Sequence, residues 1–174
     1  LAKARTLTLL PPGEFEEKLQ QSCAGAGVAV VFVPETKGSC ASGVTRWLNP
    51  SKALIQLSLR YNTDDSLWFT FFHEAGHVLL HGKKEVFLEG CAGTGTEELE
   101  ANKFASDLLI PPARFRALVA GNDFSEGVVR AFAEETGVAP GIVAGRLHHE
   151  KLLPFWQLRE LKRPLRLVEK PALS

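Results

Sequence analysis

The chain has no methionine, one tyrosine and only three cysteines, and neither sign of charge is in excess. Each scarcity narrows the reading. Translation starts at Met, so a chain that begins at Leu1 and carries none is expected to be a piece of a longer one, with residues missing upstream. Cys23, Cys40 and Cys91 are widely spaced and odd in number. That pattern fits free thiols in a reducing cytoplasm better than a disulfide framework. The 20 basic residues balance the 20 acidic ones, which leaves no global electrostatic footprint for nucleic acid or an anionic membrane. The longest unbroken apolar run, Val28 to Val33, is far too short to span a bilayer. No signal-peptide pattern opens the sequence. What remains is a 174-residue chain, 45% hydrophobic and 23% charged, long enough for one globular domain with a real core.

The pattern along the chain is that of an α+β protein. Glu14 to Ala24 reads as a short helix ended by Gly25 to Gly27. Val28 to Val33 is β-branched, short and closed by Pro34, and so reads as a buried strand. Val44 to Leu48 and the alternating Ala53 to Arg60 follow as strands, predicting a small, mostly antiparallel three-stranded sheet. Asn62-Thr63-Asp64-Asp65 opens a long helix over Ser66 to His81, with Gly82 as its stop and Lys83 and Lys84 at its C-terminal end. A second long helix spans Glu97 to Ile110 and stops at Pro111-Pro112. Further helices are expected over Ala113 to Ala120, Ser125 to Thr136, Pro140 to His149 and Pro154 to Leu161. The domain expectation is a core over 1–111 with a helical part over 112–174 packed on it.

The first long helix carries the chemistry: His73-Glu74-Ala75-Gly76-His77, an HExxH pattern. Residues four apart share one helix face, so His73 and His77 can aim two imidazole nitrogens at one metal ion. Glu74, beside the open coordination position, can take a proton from a water molecule there. A catalytic zinc also needs a third protein ligand. The metzincin spacing is excluded, because Leu80 and Lys83 stand where it requires Gly and His. His81 shares the stripe of His77, but a rigid helix cannot wrap three ligands around one ion, so it reads as a helix-terminal residue.

The second long helix offers acids. Ala101, Phe104, Ala105, Leu108 and Leu109 form its buried stripe. Glu97 and Glu98 each lie about 50° from the centre of that stripe, while Glu100 lies more than about 100° away. Glu98 is therefore preferred as third ligand, with Glu97 in reserve, and Glu100 is expected to face solvent. Asn102, one turn after Glu98, can hydrogen-bond a ligand histidine and fix its tautomer. Cys91 is the rival, since a thiolate also suits zinc.

Several blocks taken together resemble the ImmA/IrrE family of metallopeptidases. They are Leu57 to Tyr61, Trp68 to Gly82 with HExxH inside it, Glu98-Leu99-Glu100-Ala101-Asn102 with Lys103 to Ala105, Leu108 to Pro111, and Gly137 to Glu150. The resemblance implies a zincin-like catalytic fold with a small sheet beside two motif helices. It implies His73, His77 and, through the ExxAN pattern, Glu98 as metal ligands, with Glu74 catalytic. It further implies a bacterial or phage-derived cytoplasmic setting and an upstream helix-turn-helix domain in many relatives. The implied partner is a protein substrate, a DNA-binding repressor, in stress or mobile-element control.

The expected reaction is zinc-dependent peptide hydrolysis, with His₂Glu favouring Zn²⁺ over Mn²⁺. Tyr61, His148 and His149 have donors suited to an oxyanion, though each also reads as structural or surface. The competing expectation is a regulatory, antitoxin-like binding module with a structural or vestigial metal site, in which Phe132 to His149 forms a helix-turn-helix. Two simply packed helices fit that stretch better, because the basic signature of DNA binding is missing. The cations Arg159, Lys162, Arg163 and Arg166 read as a solvated face.

Overall fold

A computed structural model describes residues 1–34, 41–58, 60–81, 87–89 and 95–166. A short helix α1 (Ala2–Thr6) and a 3₁₀ turn (Leu7–Leu9) precede α2 (Phe15–Ala24). Then come β1 (Val28–Val33), β2 (Gly43–Asn49), β3 (Lys52–Ser58), α3 (Asp64–Leu80), β4 (Phe87–Glu89) and α4 (Thr96–Leu109). Three helices follow, α5 (Pro112–Gly121), α6 (Glu126–Thr136) and α7 (Pro140–His149), and then a 3₁₀ turn (Arg159–Leu161). The expected stop at Gly82, the cations Lys83 and Lys84, and the rival ligand Cys91 lie outside the described residues.

The three expected strands form the body of a sheet ordered β1-β3-β2-β4, with the short β4 added at its edge. β2 pairs antiparallel with β3 and with β4, whereas β1 runs parallel to β3. The parallel pair departs from a mostly antiparallel reading. It arises because β2 and the turn after it carry the chain back before β3 is laid beside β1. Asn49 shapes that turn, its side-chain oxygen accepting from the Ser51 amide (2.9 Å) and hydroxyl (3.0 Å). The central strand β3 buries Ala53, Ile55 and Leu57 on alternate positions, the period-two pattern of a strand with one face on the core.

Helix α3 lies on that face. Thr63, extended, ends the preceding chain, and Asp64 and Asp65 occupy the first turn, where carboxylates favour the helix dipole. From Trp68 to His77 only Phe69 escapes full burial. Such a helix is enclosed on nearly all sides rather than amphipathic. Trp68, Phe71 and Phe72 meet Phe15 of α2 in an aromatic cluster, with ring centroids 5.0–6.2 Å apart. The contiguous core runs from Leu7 through β3 and α3 to Val129, Val143 and Leu147. It therefore draws on both sides of residue 112.

The expected helix over Pro154 to Leu161 is not formed. That stretch is turns and one 3₁₀ turn, with Leu158 left-handed at φ 60°. Eight residues give too few backbone bonds to offset helix nucleation, and burying both Leu158 and Leu161 decides the conformation instead. Of the four cations expected on a solvated face, Arg159 and Arg166 are exposed, whereas Lys162 and Arg163 are half-buried. Lys162 pairs with Asp65 at 2.8 Å, and the Arg163 Nε donates to Asp64 Oδ2 at 2.6 Å. Asp64 is buried, and a buried carboxylate needs such a partner. Among the described residues, no helix is long and apolar enough to cross a membrane.

Candidate metal centre

Helices α3 and α4 approach each other at two small residues. A Cβ placed on Gly76 would lie 3.3 Å from the Ala101 Cα and 3.2 Å from the Phe104 ring. Glu98 sits one turn before Ala101 on α4, and His73 and His77 flank Gly76 on α3. The close approach therefore carries the Glu98 carboxylate onto the histidine face. The two Nε2 atoms of His73 and His77 are 3.0 Å apart, and the Glu98 oxygens lie 3.2 Å and 3.3 Å from them. Of the sequence candidates, His73, His77 and Glu98 are brought together. Glu97 is exposed and not part of this group.

The hydrogen bonds around the histidines decide what the three atoms can accept. His73 Nδ1 lies 3.0 Å from the side-chain oxygen of Asn102, to which it donates. Its Nε2 is then left with a bare lone pair. His77 Nδ1 lies 2.8 Å from His81 Nδ1, and His81 Nε2 lies 3.1 Å from Glu100 Oε2. With Glu100 as terminal acceptor, protons run one way along this chain: His81 donates to Glu100, and His77 donates to His81. His77 Nε2 is also bare. Two lone pairs and a carboxylate facing one another repel unless a cation lies among them. An ion with bonds of about 2.0–2.1 Å in tetrahedral array sets its donors roughly 3.3 Å apart, which is the spacing found. The residues present therefore fit a divalent metal of the zinc type.

Burial holds His73 down to about 4, with the Asn102 hydrogen bond acting weakly the other way, and it holds His77 down to about 3, helped by the charges of His73 and His81. Both rings are neutral at pH 7, the form that ligates. Burial pushes the Glu98 carboxyl up, with Glu97 adding to the shift.

Glu74 is fully buried and is positioned from the sheet side. A Cβ on Gly43 of β2 would stand 2.5 Å from Glu74 Oε1 and 2.8 Å from its Cγ. Two residues along β2, the Thr45 hydroxyl donates to the Glu74 carbonyl at 3.2 Å. Neither Gly43 nor Thr45 was legible as a site residue, because their roles arise from sheet-on-helix packing far along the chain. His81 and Glu100 were legible only in part. His81 does end α3, its amide donating to the His77 carbonyl at 3.2 Å. Glu100 is exposed as its phase requires, yet its carboxylate still reaches His81.

The three oxyanion candidates line a cavity beside the first turns of α3. Tyr61 is exposed, His148 is buried with Nε2 donating to the Gln157 carbonyl at 2.7 Å, and exposed His149 stacks on Phe69 at 6.2 Å.

A family model described as Peptidase M78, IrrE N-terminal-like domain, matches residues 35–148, which is more than half of the chain and contains every residue of this centre. No curated protein matches the sequence.

Proposed function

The chain belongs to the IrrE N-terminal-like domain family of metallopeptidases, and from that premise we propose that it is a zinc-dependent endopeptidase. The observation that carries this reading is the meeting of three Lewis-basic atoms from two helices beside a buried Glu74.

His73 and His77 would hold the ion through Nε2 and Glu98 through its carboxylate, with Mn²⁺ as the alternative occupant. When bound, zinc supplies Lewis acidity, polarising a peptide carbonyl and drawing the pKa of water toward neutrality. The protein's own groups do the rest. Glu74 takes the proton of the attacking water and later delivers it to the amine of the departing peptide. Asn102 and the His81–Glu100 pair keep both histidines in the tautomer whose Nε2 carries no proton. The core around α3 excludes bulk water from the inner wall of the site, which strengthens each of these interactions.

The substrate we propose is a protein, a helix-turn-helix repressor of the kind handled by ImmA/IrrE-like peptidases, in bacterial stress or mobile-element control. The three widely spaced cysteines and the neutral chain support a cytoplasmic setting with no direct binding of nucleic acid or membrane by these residues.

The test is Glu74→Gln, which keeps the shape and removes the base. The variant should still bind one zinc ion per chain while kcat/KM falls about 10²- to 10⁴-fold. Cleavage of the same substrate at the wild-type rate would show the mechanism to be wrong.

A further inference from the structure

Two neighbouring aromatic side chains stand almost bare on the surface, Phe155 at 74% and Trp156 at 76% exposure. They occupy the two middle positions of a turn closed by the Gln157 amide, which donates to the Pro154 carbonyl at 3.0 Å. The turn is pinned from behind. The Gln157 carbonyl accepts from Nε2 of buried His148 at 2.7 Å, and Leu158 and Leu161 are buried just beyond it. Large aromatics held in a fixed place on a surface are the usual anchors of contacts between proteins. The Phe155 ring lies 5.3 Å from the His148 ring. It forms one wall of an open-mouthed cavity of about 400 Å³ between the first turns of α3, the end of α4, and α7.

The opposite wall belongs to the metal centre. Phe69 and Thr70 line the cavity four and three residues before His73, so they lie on the His73 face one turn earlier. The Phe69 ring is 6.3 Å from the His73 ring, and the Thr70 methyl stands beside the same Gly43 that borders Glu74. One helical turn is about 5.4 Å, and neighbouring Cα atoms of a peptide are about 3.8 Å apart. A peptide attacked at the metal centre therefore has its next side chain within reach of the cavity, and the residues after that within reach of Phe155 and Trp156. The floor is Phe69, Leu109, Ile110 and Ile142. The charged residues of the wall are already paired, Asp65 with Lys162 at 2.8 Å and Arg146 with Glu150 at 2.8 Å. A charge carried in by a guest would lose its water and gain no partner. An apolar side chain gains simply by leaving water.

We propose that the cavity and the Phe155–Trp156 turn together seat an apolar stretch of the protein substrate. A large uncharged side chain beside the scissile bond, leucine, methionine or phenylalanine, fills the cavity, and the chain beyond it lies against Trp156. The proposal rests on the peptidase reading above, and its test separates the two. Glu74→Gln protein supplied with zinc is titrated with the N-acetyl amides of phenylalanine, leucine and glutamate. Binding is followed by NMR on the ring of His149, which is exposed and lines the cavity. The first two amides should bind saturably, and the charged glutamate amide at least about tenfold more weakly. Ser106→Phe fills the cavity from half-buried ground on α4 and should abolish binding. Phe155→Ala, at a position too exposed for the fold to depend on it, should weaken binding several-fold while the circular dichroism spectrum stays intact. Wild-type enzyme is also given a random peptide library, and its cleavage sites are read by mass spectrometry. Leucine, methionine and phenylalanine should be enriched on one side of the cleaved bond, and aspartate, glutamate and lysine depleted there. With the best peptide of that library, Trp156→Ala should raise KM about tenfold and leave kcat within about twofold, the pattern of binding lost equally from ground state and transition state. Absence of saturable amide binding, glutamate amide bound as tightly as the apolar ones, binding indifferent to both cavity variants, cleavage as frequent beside charged residues as beside apolar ones, or an unchanged KM in Trp156→Ala would each overturn the proposal. Apolar amide binding with no cleavage of any peptide would overturn the peptidase reading and leave the cavity standing as a binding site.

Discussion

At the scale of single residues, the least conspicuous member of the site is Gly43. Its missing side chain is the space into which Glu74 folds, since a Cβ there would overlap Glu74 Oε1 at 2.5 Å and the Thr70 methyl at 2.7 Å. Gly43→Ala should therefore displace the carboxylate without touching a metal donor. The expected outcome is a loss in kcat/KM of about 10²-fold or more with zinc affinity unchanged within about threefold. Steady-state kinetics and chelator competition measure the two separately, and equal losses in both would contradict this role. The contrast with His73, Glu74 and His77 shows what a sequence reveals. Their meaning lies in a spacing of four residues on one helix, which is local and can be counted. Gly43 acts on a side chain thirty-one positions away, and no spacing announces that.

Among the elements, α3 and α4 were readable almost to the residue. Acids in the first turn of both helices, and on α4 a clear apolar stripe, agree there. The phase of α4 also separated Glu98 from Glu100. Phase could not show that Glu100, pointing outward, would still reach across to the end of α3. The contact with His81 is a link between elements: Glu100 on α4 orients His81 at the C-terminus of α3, and His81 orients His77. Removing it should release the His77 tautomer. His81→Ala is expected to weaken zinc binding roughly 10- to 100-fold, with Glu100→Gln intermediate, as read by competition with a chromogenic chelator. Unchanged affinity in both variants would assign the chain of contacts no part in ligation. The stretch after Pro154 shows the opposite limit. It has helix-compatible residues but too few of them, and the docking of two leucines settles a conformation that propensity does not.

For the whole molecule, two arginines fasten the ends of the chain to its centre. Arg5 donates to the Leu109 carbonyl from Nε (3.1 Å) and Nη2 (3.0 Å), and to the Thr136 carbonyl (2.6 Å). It thereby caps the C-terminal ends of α4 and α6. Arg163 grips Asp64 through its amide and Nε and reaches the Thr8 and Leu10 carbonyls. Arg163→Ala takes the guanidinium from a buried carboxylate, which keeps only the backbone amides of residues 163 and 65 as donors, and leaves two carbonyls without their donor. Because Arg163 is partly exposed, the cost is discounted to roughly 2–4 kcal/mol. That corresponds to a fall in Tm of roughly 5–15 °C by differential scanning calorimetry, and a fall of under about 2 °C would show the network to be dispensable. None of this was legible in a basic run near the end of the sequence. Nor was the parallel β1–β3 pairing, since both depend on where distant segments come to rest.

The three donors sit on two helices, α3 and α4. An ion seated there is a clasp as well as a cofactor. It ties α3 to α4, and it couples the register of the two helices to the free metal concentration around the protein. Starving the protein of that metal would take away the proposed hydrolysis and, in the same act, undo a fastening of its fold.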